Sequence, residues 1–189
     1  MLFYGVEECL VNKKRVAALG FFDGVHLGHQ RILLETKKAC ANGAEPCVFT
    51  YRIKNKMPNS KNGKAMLTTY EEKVNKIKKL GINCIFAPYF EEFADLTADE
   101  FVEKFLVDIV NAEAVVCGEN FKFGKNRSYD VADLRRVCKN YDIKVISVPL
   151  LKIGHQIISS SLIRNLIKEG NETLAFRLLD IATGKEKDF

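Results

Sequence analysis

The 189-residue sequence predicts a doubly wound α/β fold. Short β-branched apolar runs alternate with longer amphipathic stretches, and five such repeats are typical of a parallel sheet that carries helices on both faces. Each strand candidate is apolar along both faces, as a strand that is covered on both sides must be. The strand candidates are residues 15–22, 46–51, 83–89, 113–118 and 143–149.

The helix candidates lie between and after these strands, and two of them carry a start signal. Thr68 with Glu71, and Thr97 with Glu100, each match a capping box, in which the two side chains satisfy free N–H groups of the first turn. The helix candidates are residues 28–42, 69–80, 98–110, 131–140, 160–169 and 172–179.

The composition indicates one domain, 1–189, without a membrane span. Hydrophobic residues make up 47% and charged residues 28% of the chain, which is typical of a globular protein. No apolar stretch approaches the roughly 20 residues that cross a bilayer, and no basic segment precedes an apolar run at the N-terminus, so we expect no signal peptide. A net charge of +5 fits a phosphorylated small-molecule substrate. We expect no nucleic acid, membrane or obligate protein partner.

The six cysteines are scattered singly through the sequence, without a CxxC pair. This spacing favours neither a zinc site nor a disulfide framework, and most of the cysteines fall in apolar runs, where a free thiol behaves as a small hydrophobe. We therefore expect a reducing, cytoplasmic location. The cysteines are Cys9, Cys40, Cys47, Cys84, Cys117 and Cys138.

Two of the three histidines lie in "GFFDGVHLGHQ", residues 20–30, where the first strand gives way to a helix. Ligands of open α/β sheets bind at the carboxyl ends of strands, and helix N-termini there attract phosphate. The glycines match neither a GxGxxG fingerprint nor a P-loop. We therefore expect His26 and His29 to bind phosphate, with Gly28 leaving room for it to approach the backbone.

Two other interpretations of the histidines are weaker. One is a turn histidine followed by a solvent-facing helix histidine, but a paired H-x-G-H at a strand-to-helix junction favours function. The other is a zinc site, for which HxxH offers two ligands. The third histidine, His155, lies far along the sequence and has no cysteine beside it.

The HxGH motif is the signature of the nucleotidyltransferase superfamily shared with class I aminoacyl-tRNA synthetases, and "GFFDGVHLGHQ" resembles the first motif of the bacterial FAD synthetase family, in its FMN adenylyltransferase module. The resemblance continues in order along nearly the whole chain, and it implies the Rossmann-like parallel sheet of the HxGH nucleotidyltransferases. The other similar segments are residues 67–82, 90–107, 115–134 and 158–170.

This resemblance implies that ATP and FMN react to give FAD and pyrophosphate, with Mg²⁺ bridging phosphate oxygens. Because the FMN phosphate is already anionic, the reaction needs alignment and charge stabilisation rather than a general base. The catalytic residues would be His26, His29 and Arg164, with Arg164 on the β- and γ-phosphates. Asp23 would orient an imidazole, bind the metal or cap the turn, and these alternatives stay open.

The same resemblance, together with the residue chemistry, assigns binding roles. Ser159 to Ser161 form an anion cradle at a helix start, although the segment could be only an N-cap followed by an exposed arginine. Phe121 and Phe123 could likewise be only core aromatics. The ATP-binding candidates are Gly20, Phe21, Phe22, Asp23, Gly24, Gly28, Gly118, Asn120, Ser159, Ser160 and Ser161; the flavin-binding candidates are Thr50, Tyr51, Phe123, Lys54 and Lys56.

The chain departs from the family in two places. The Pro-His-Pro element that follows the second strand is missing, and residues 52–64 form a basic loop that either attracts the FMN phosphate or is a solvated surface loop. The sequence also ends where a riboflavin kinase domain would begin, so we expect no kinase domain. Whether the chain is stand-alone or truncated stays open. The alternative functions are a sister transferase with another phosphorylated acceptor, such as phosphopantetheine, and a non-catalytic flavin-binding domain.

Overall fold

A computed structural model describes residues 12–41, 43–54 and 65–180. Within them, five parallel strands form one sheet in the order β3-β2-β1-β4-β5, which confirms the predicted doubly wound α/β fold. Successive strands run outward from β1 to β3 and then restart at β4 on the other side of β1, so the switch point lies between β1 and β4. The strands are β1 (Arg15–Leu19), β2 (Glu45–Phe49), β3 (Cys84–Phe86), β4 (Ala112–Gly118) and β5 (Lys144–Val148).

Helices cover both faces of the sheet. Alternate residues of the central strand point to opposite sides, so this strand contributes side chains to the core on each face. Ala17 and Leu19 of β1 pack into an aromatic cluster on one face, whereas Ala18 packs with Leu33 and Ile77 on the other. The helices are α1 (Leu27–Ala39), α2 (Tyr70–Lys79), α3 (Ala98–Phe101), α4 (Val131–Cys138), α5 (Ser160–Lys168) and α6 (Glu172–Leu179).

The start of α2 differs by one residue from the prediction. The capping box is formed by Thr69 and Glu72, not by Thr68 and Glu71: the Thr69 N–H donates to Glu72 Oε2 at 2.8 Å, and the Glu72 N–H donates to Thr69 Oγ1 at 3.1 Å. The Thr68 hydroxyl instead accepts from the Gly24 N–H at 3.1 Å. Because two adjacent threonines precede two adjacent glutamates, the sequence matches a capping box equally well at Thr68–Glu71 and at Thr69–Glu72.

The two neighbouring glutamates allow a direct test of which pair forms the capping box. Glu72→Ala is expected to lower the free energy of unfolding by about 1 kcal/mol, because it removes one half of the capping box. Glu71→Ala, at an exposed position in the same turn, is the matched control and is expected to cost less. Urea unfolding measures both, and an equal loss in the two variants would contradict the Thr69–Glu72 assignment.

The third helix begins as predicted, with Thr97 and Glu100 forming a capping box. Beyond Ala98–Phe101, however, the helix continues as a π-helix over Val102–Ile109. A short antiparallel hairpin, β6 (Lys152–Ile153) with β7 (Gln156–Ile157), also follows β5. The sequence predicted neither feature, because two-residue strands and a widened helix leave no distinct apolar period.

The cysteines only partly match the expectation of unbridged thiols. Cys40, Cys47, Cys117 and Cys138 are free, and burial raises the pKa of the Cys117 thiol to about 11. Cys84 is disulfide-bonded, so the expectation is wrong at this position. In the described part of the chain, no helix is long and apolar enough to cross a membrane.

Candidate active site

A cleft of about 440 Å³ opens at the carboxyl edge of the sheet, beside the switch point. Segments that are distant in sequence meet there: residues 19–29 at the end of β1, residues 118–123 at the end of β4, residues 148–151 at the end of β5, and residues 157–161 between β7 and the start of α5. The chain topology therefore gathers the three motifs that the sequence analysis singled out into one cavity.

The loop between β1 and α1 has an unusual backbone. Phe22 (φ 56°), Gly24 (φ 83°) and Val25 (φ 48°) all adopt left-handed conformations. For a β-branched residue such as Val25 this region is a genuine outlier, and such conformations cost of order 1–3 kcal/mol each. A strained loop keeps its shape only where its surroundings hold it.

Side chains from other parts of the chain hold this loop by its carbonyl oxygens. Donor atoms come from α2, from α5, from α1 and from the residue that follows β2, at 3.0 to 3.2 Å. The pairs are Thr50 Oγ1 and Lys73 Nζ to Phe21 O, Ser160 Oγ to Asp23 O, Lys76 Nζ to Gly24 O, and Gln30 Nε2 to Val25 O. Sequence reasoning missed both lysines, since lysine in a surface helix is most often only solvated.

His26 is the N-cap of α1, and its Nδ1 accepts from the His29 N–H at 3.3 Å. A nitrogen that accepts carries no proton, so neutral His26 has its proton on Nε2. The two imidazole rings stack with centroids 3.6 Å apart. A Cβ on Gly28 would lie 3.2 Å from His26 Cε1 and 3.3 Å from the Ile158 carbonyl, so glycine keeps this approach open.

Asp23 is 1% exposed and forms an ion pair with Arg164. Its other carboxylate oxygen accepts from the Leu67 N–H at 2.9 Å. Arg164 also donates to the Ala65 carbonyl at 2.6 Å and to the Ser160 carbonyl at 3.0 Å. Neither Asp23 nor Arg164 lines the cleft in this structure, and they join the β1–α1 loop to the start of α5.

The serines at the start of α5 do line the cleft. Ser159 is the N-cap and accepts from the Leu162 N–H at 3.2 Å. Because a hydroxyl is also a donor, this bond leaves the Ser159 proton available to an anion. Ser160 is buried and donates to the Asp23 carbonyl, whereas Ser161 is exposed. Free N–H groups of the first turn add positive potential at this end of the cleft.

Part of the cleft wall is aromatic. Phe21 stacks on Tyr51 with centroids 4.4 Å apart, and Phe121 lies nearly parallel to Phe123 at 5.7 Å. Phe123 also packs against Phe101 at 5.2 Å, so it belongs to the core and to the cleft wall at once. Burial raises the pKa of the Tyr51 phenol, which is therefore neutral at physiological pH. Such walls suit a planar ring system.

The remaining candidates are placed differently. Gly118 and Asn120 line the cleft, together with Gly20, Phe22 and Gly28. Gly24 does not line it, and Thr50 is fully buried with its hydroxyl bonded to Phe21 O and Lys73 Nζ. Lys54 is exposed, with Nζ 5.8 Å from the Tyr89 ring, and Lys56 lies outside the described residues.

A second cleft, of about 460 Å³, shares two lining residues with the first, Phe21 and Tyr51. Asp23, Arg52 and Lys73 line it. In the described part of the chain, no group of three or more histidine, cysteine, aspartate or glutamate side chains could hold a metal ion.

The parallel sheet with an HxGH turn at its switch point defines the chain as a Rossmann-like α/β protein of the nucleotidyltransferase type. The same fold occurs in the pantoate-β-alanine ligase of Francisella tularensis, with a TM-score of 0.58 and 14% identity over 95% of this chain and 77% of that one. The family model for FAD synthetase matches residues 9–162. The chain belongs to the FAD synthetase family.

Three similar proteins show the extent of the match. An FAD synthetase of Listeria monocytogenes is 35% identical over 89% of this chain and 69% of its own length. A bifunctional riboflavin kinase/FMN adenylyltransferase of Buchnera aphidicola is 32% identical over 89% of this chain, which spans 55% of that relative. The crystal structure of a protein described as a macrolide-efflux protein of Streptococcus pneumoniae has a TM-score of 0.76 and 29% identity, covering 91% of this chain and 57% of that one.

Proposed function

We propose that this protein is an FMN adenylyltransferase, which transfers the AMP group of ATP to the phosphate of FMN and releases pyrophosphate. One observation carries the proposal: a single cleft joins a histidine pair at a helix N-terminus to a set of aromatic walls, in a chain of the FAD synthetase family. The polar lining groups suit phosphates, and the aromatic walls suit a flavin ring.

The FMN phosphate is an anion at neutral pH, so the protein has to align two anions and stabilise the charge that develops on the α-phosphoryl group. His26 and His29 supply hydrogen-bond donors for those oxygens. Because His26 Nδ1 accepts from the His29 N–H, the His26 Nε2–H is the donor that this imidazole offers. The stacking of the two imidazoles and the hydrogen bond from the His29 N–H to His26 Nδ1 hold the rings in place before substrate arrives.

The start of α5 receives the departing pyrophosphate, where Ser159 and Ser161 can donate to its oxygens while Ser160 supports the loop. Gly118 and Asn120 contact the nucleoside of ATP. Mg²⁺, when bound, would neutralise charge between phosphate oxygens. The phosphates would be its main ligands, since both oxygens of Asp23 already bind protein donors.

The flavin ring lies against the aromatic walls formed by the Phe21–Tyr51 pair and the Phe121–Phe123 pair. Lys54, with its exposed ammonium group, and Lys56 attract the FMN phosphate electrostatically. Thr50 acts indirectly, since its hydroxyl is bonded inside the protein.

The test is turnover with ATP and Mg²⁺ on three acceptors in parallel: FMN, phosphopantetheine and riboflavin. Pyrophosphate release is expected with FMN alone, accompanied by FAD, and riboflavin is expected to give no FMN. Release with phosphopantetheine instead of FMN would assign the chain to a sister transferase. Tight FMN binding without pyrophosphate release would indicate a non-catalytic flavin-binding domain.

A further inference from the structure

Lys73 is a buried lysine of α2 that lies behind the aromatic wall of the cleft. It is 4% exposed, and its Nζ donates to Phe21 O at 3.1 Å, to Thr50 Oγ1 at 3.1 Å and to Tyr51 O at 3.2 Å. An ammonium group has three N–H donors, and each of these three oxygens is an acceptor for it. A buried charge is tolerated when it is bonded in this way.

The three oxygens belong to two segments that leave neighbouring strands. Phe21 follows β1, while Thr50 and Tyr51 follow β2, and Thr50 Oγ1 donates to the same Phe21 carbonyl at 3.0 Å. Lys73 therefore ties the two segments together at the point where the Phe21 and Tyr51 rings stack. Its Nζ also lies 4.5 Å from the centroid of the Phe21 ring, within the range of a cation–π interaction.

Lys73 lines the second cleft and not the one that holds the histidines. Its hydrogen bonds to Phe21 O and Tyr51 O connect it to the wall of the candidate active site. Of the ATP-binding candidates, Phe21 accepts a Lys73 hydrogen bond, but its ring stacks on that of Tyr51, a flavin-binding candidate, and we assign it to the flavin side. Gly118, Asn120 and the serines at the start of α5 accept none of the three Lys73 hydrogen bonds. A change at Lys73 should consequently affect the flavin side of the reaction more than the ATP side.

We propose that Lys73 is a positioning residue for the flavin substrate: it holds the Phe21 and Tyr51 backbones so that their stacked rings form a fixed wall for the isoalloxazine ring. This inference rests on the proposed FMN adenylyltransferase function. Thr50, whose hydroxyl binds both Lys73 and the Phe21 carbonyl, belongs to the same arrangement.

The experiment compares Lys73→Met, which removes the ammonium group and keeps an unbranched side chain, with Lys79→Met, at an exposed position of the same helix. Lys73→Met is expected to raise KM for FMN about tenfold, the scale of one lost charge-assisted hydrogen bond, and to change KM for ATP less than about twofold. Lys79→Met is expected to change neither. Quenching of flavin fluorescence gives the Kd for FMN without turnover.

Thr50→Val provides a second, milder variant if Lys73→Met fails to fold. It is expected to weaken FMN binding in the same direction, and the double variant is expected to lose less than the product of the single effects, because both side chains hold one carbonyl. A lower melting temperature with unchanged KM and Kd for FMN in the folded variants would overturn the proposal, as would equal rises in KM for FMN and ATP.

The two proposals fail in distinguishable ways. If the parent protein binds FMN but forms no FAD, the proposed function fails, while the Kd for FMN still tests Lys73. If the parent binds no FMN, both proposals fall. If the parent forms FAD and the folded Lys73→Met and Thr50→Val variants keep its Kd for FMN, only the role of Lys73 is overturned.

Discussion

Replacing His29 with alanine is expected to lower kcat for FAD formation by about 10²-fold or more, with the fold intact. His29 stacks on His26 and meets the Phe22 ring edge-on at 5.2 Å, so its position is set before substrate binds. A preorganised donor of this kind acts mainly on the charge of the transition state, and its loss therefore appears in kcat more than in KM. Steady-state kinetics with saturating ATP and FMN measure the effect.

The matched control is His155→Ala, because His155 is exposed in the turn of the β6–β7 hairpin and does not line the cleft. It is expected to keep the kcat of the parent protein. Circular dichroism shows whether each variant is folded. Turnover near that of the parent in His29→Ala would remove His29 from the mechanism.

Asp23→Asn is expected to lower the free energy of unfolding by about 3 kcal/mol or more, because it leaves the Arg164 guanidinium without its carboxylate. The Asp23 side chain is fully buried and that of Arg164 is 10% exposed, so solvent screens the pair little. Arg164→Met is expected to lower the free energy of unfolding by a similar amount, because it leaves the buried Asp23 carboxylate without its guanidinium partner. Urea unfolding of both variants measures these losses.

The double variant Asp23→Asn/Arg164→Met is expected to lose clearly less stability than the two single losses added together. The reason is that removing both partners leaves no uncompensated buried charge. Additive losses would show that the two side chains do not depend on each other.

The sheet was predictable because each of its strands is apolar on both faces, and all five strand candidates form strands. The residues at which the strands end were not predictable. Residues 20–22 continue the apolar run of β1, yet they turn into the loop of the site, with Phe22 at positive φ. An apolar residue that lines a cleft and one that ends a strand look alike in the sequence.

The location of the site was also predictable, since the carboxyl ends of parallel strands meet at one edge. His26, His29 and the serines at the start of α5 do line one cleft. The pairing of Asp23 with Arg164 joins residues 141 positions apart, and the bond from Lys73 to Phe21 spans 52 positions. No local pattern encodes such contacts, because they arise only when α2 and α5 pack against the loop.

The central claim is that the AMP group of ATP moves to FMN, and isotope transfer tests it most directly. With Mg²⁺ and FMN, label on the α-phosphate of ATP is expected to appear in FAD, and label on the γ-phosphate in pyrophosphate, in equal amounts. Transfer of the γ-label to the flavin, or release of α-label as free AMP without FAD, would contradict adenylyl transfer.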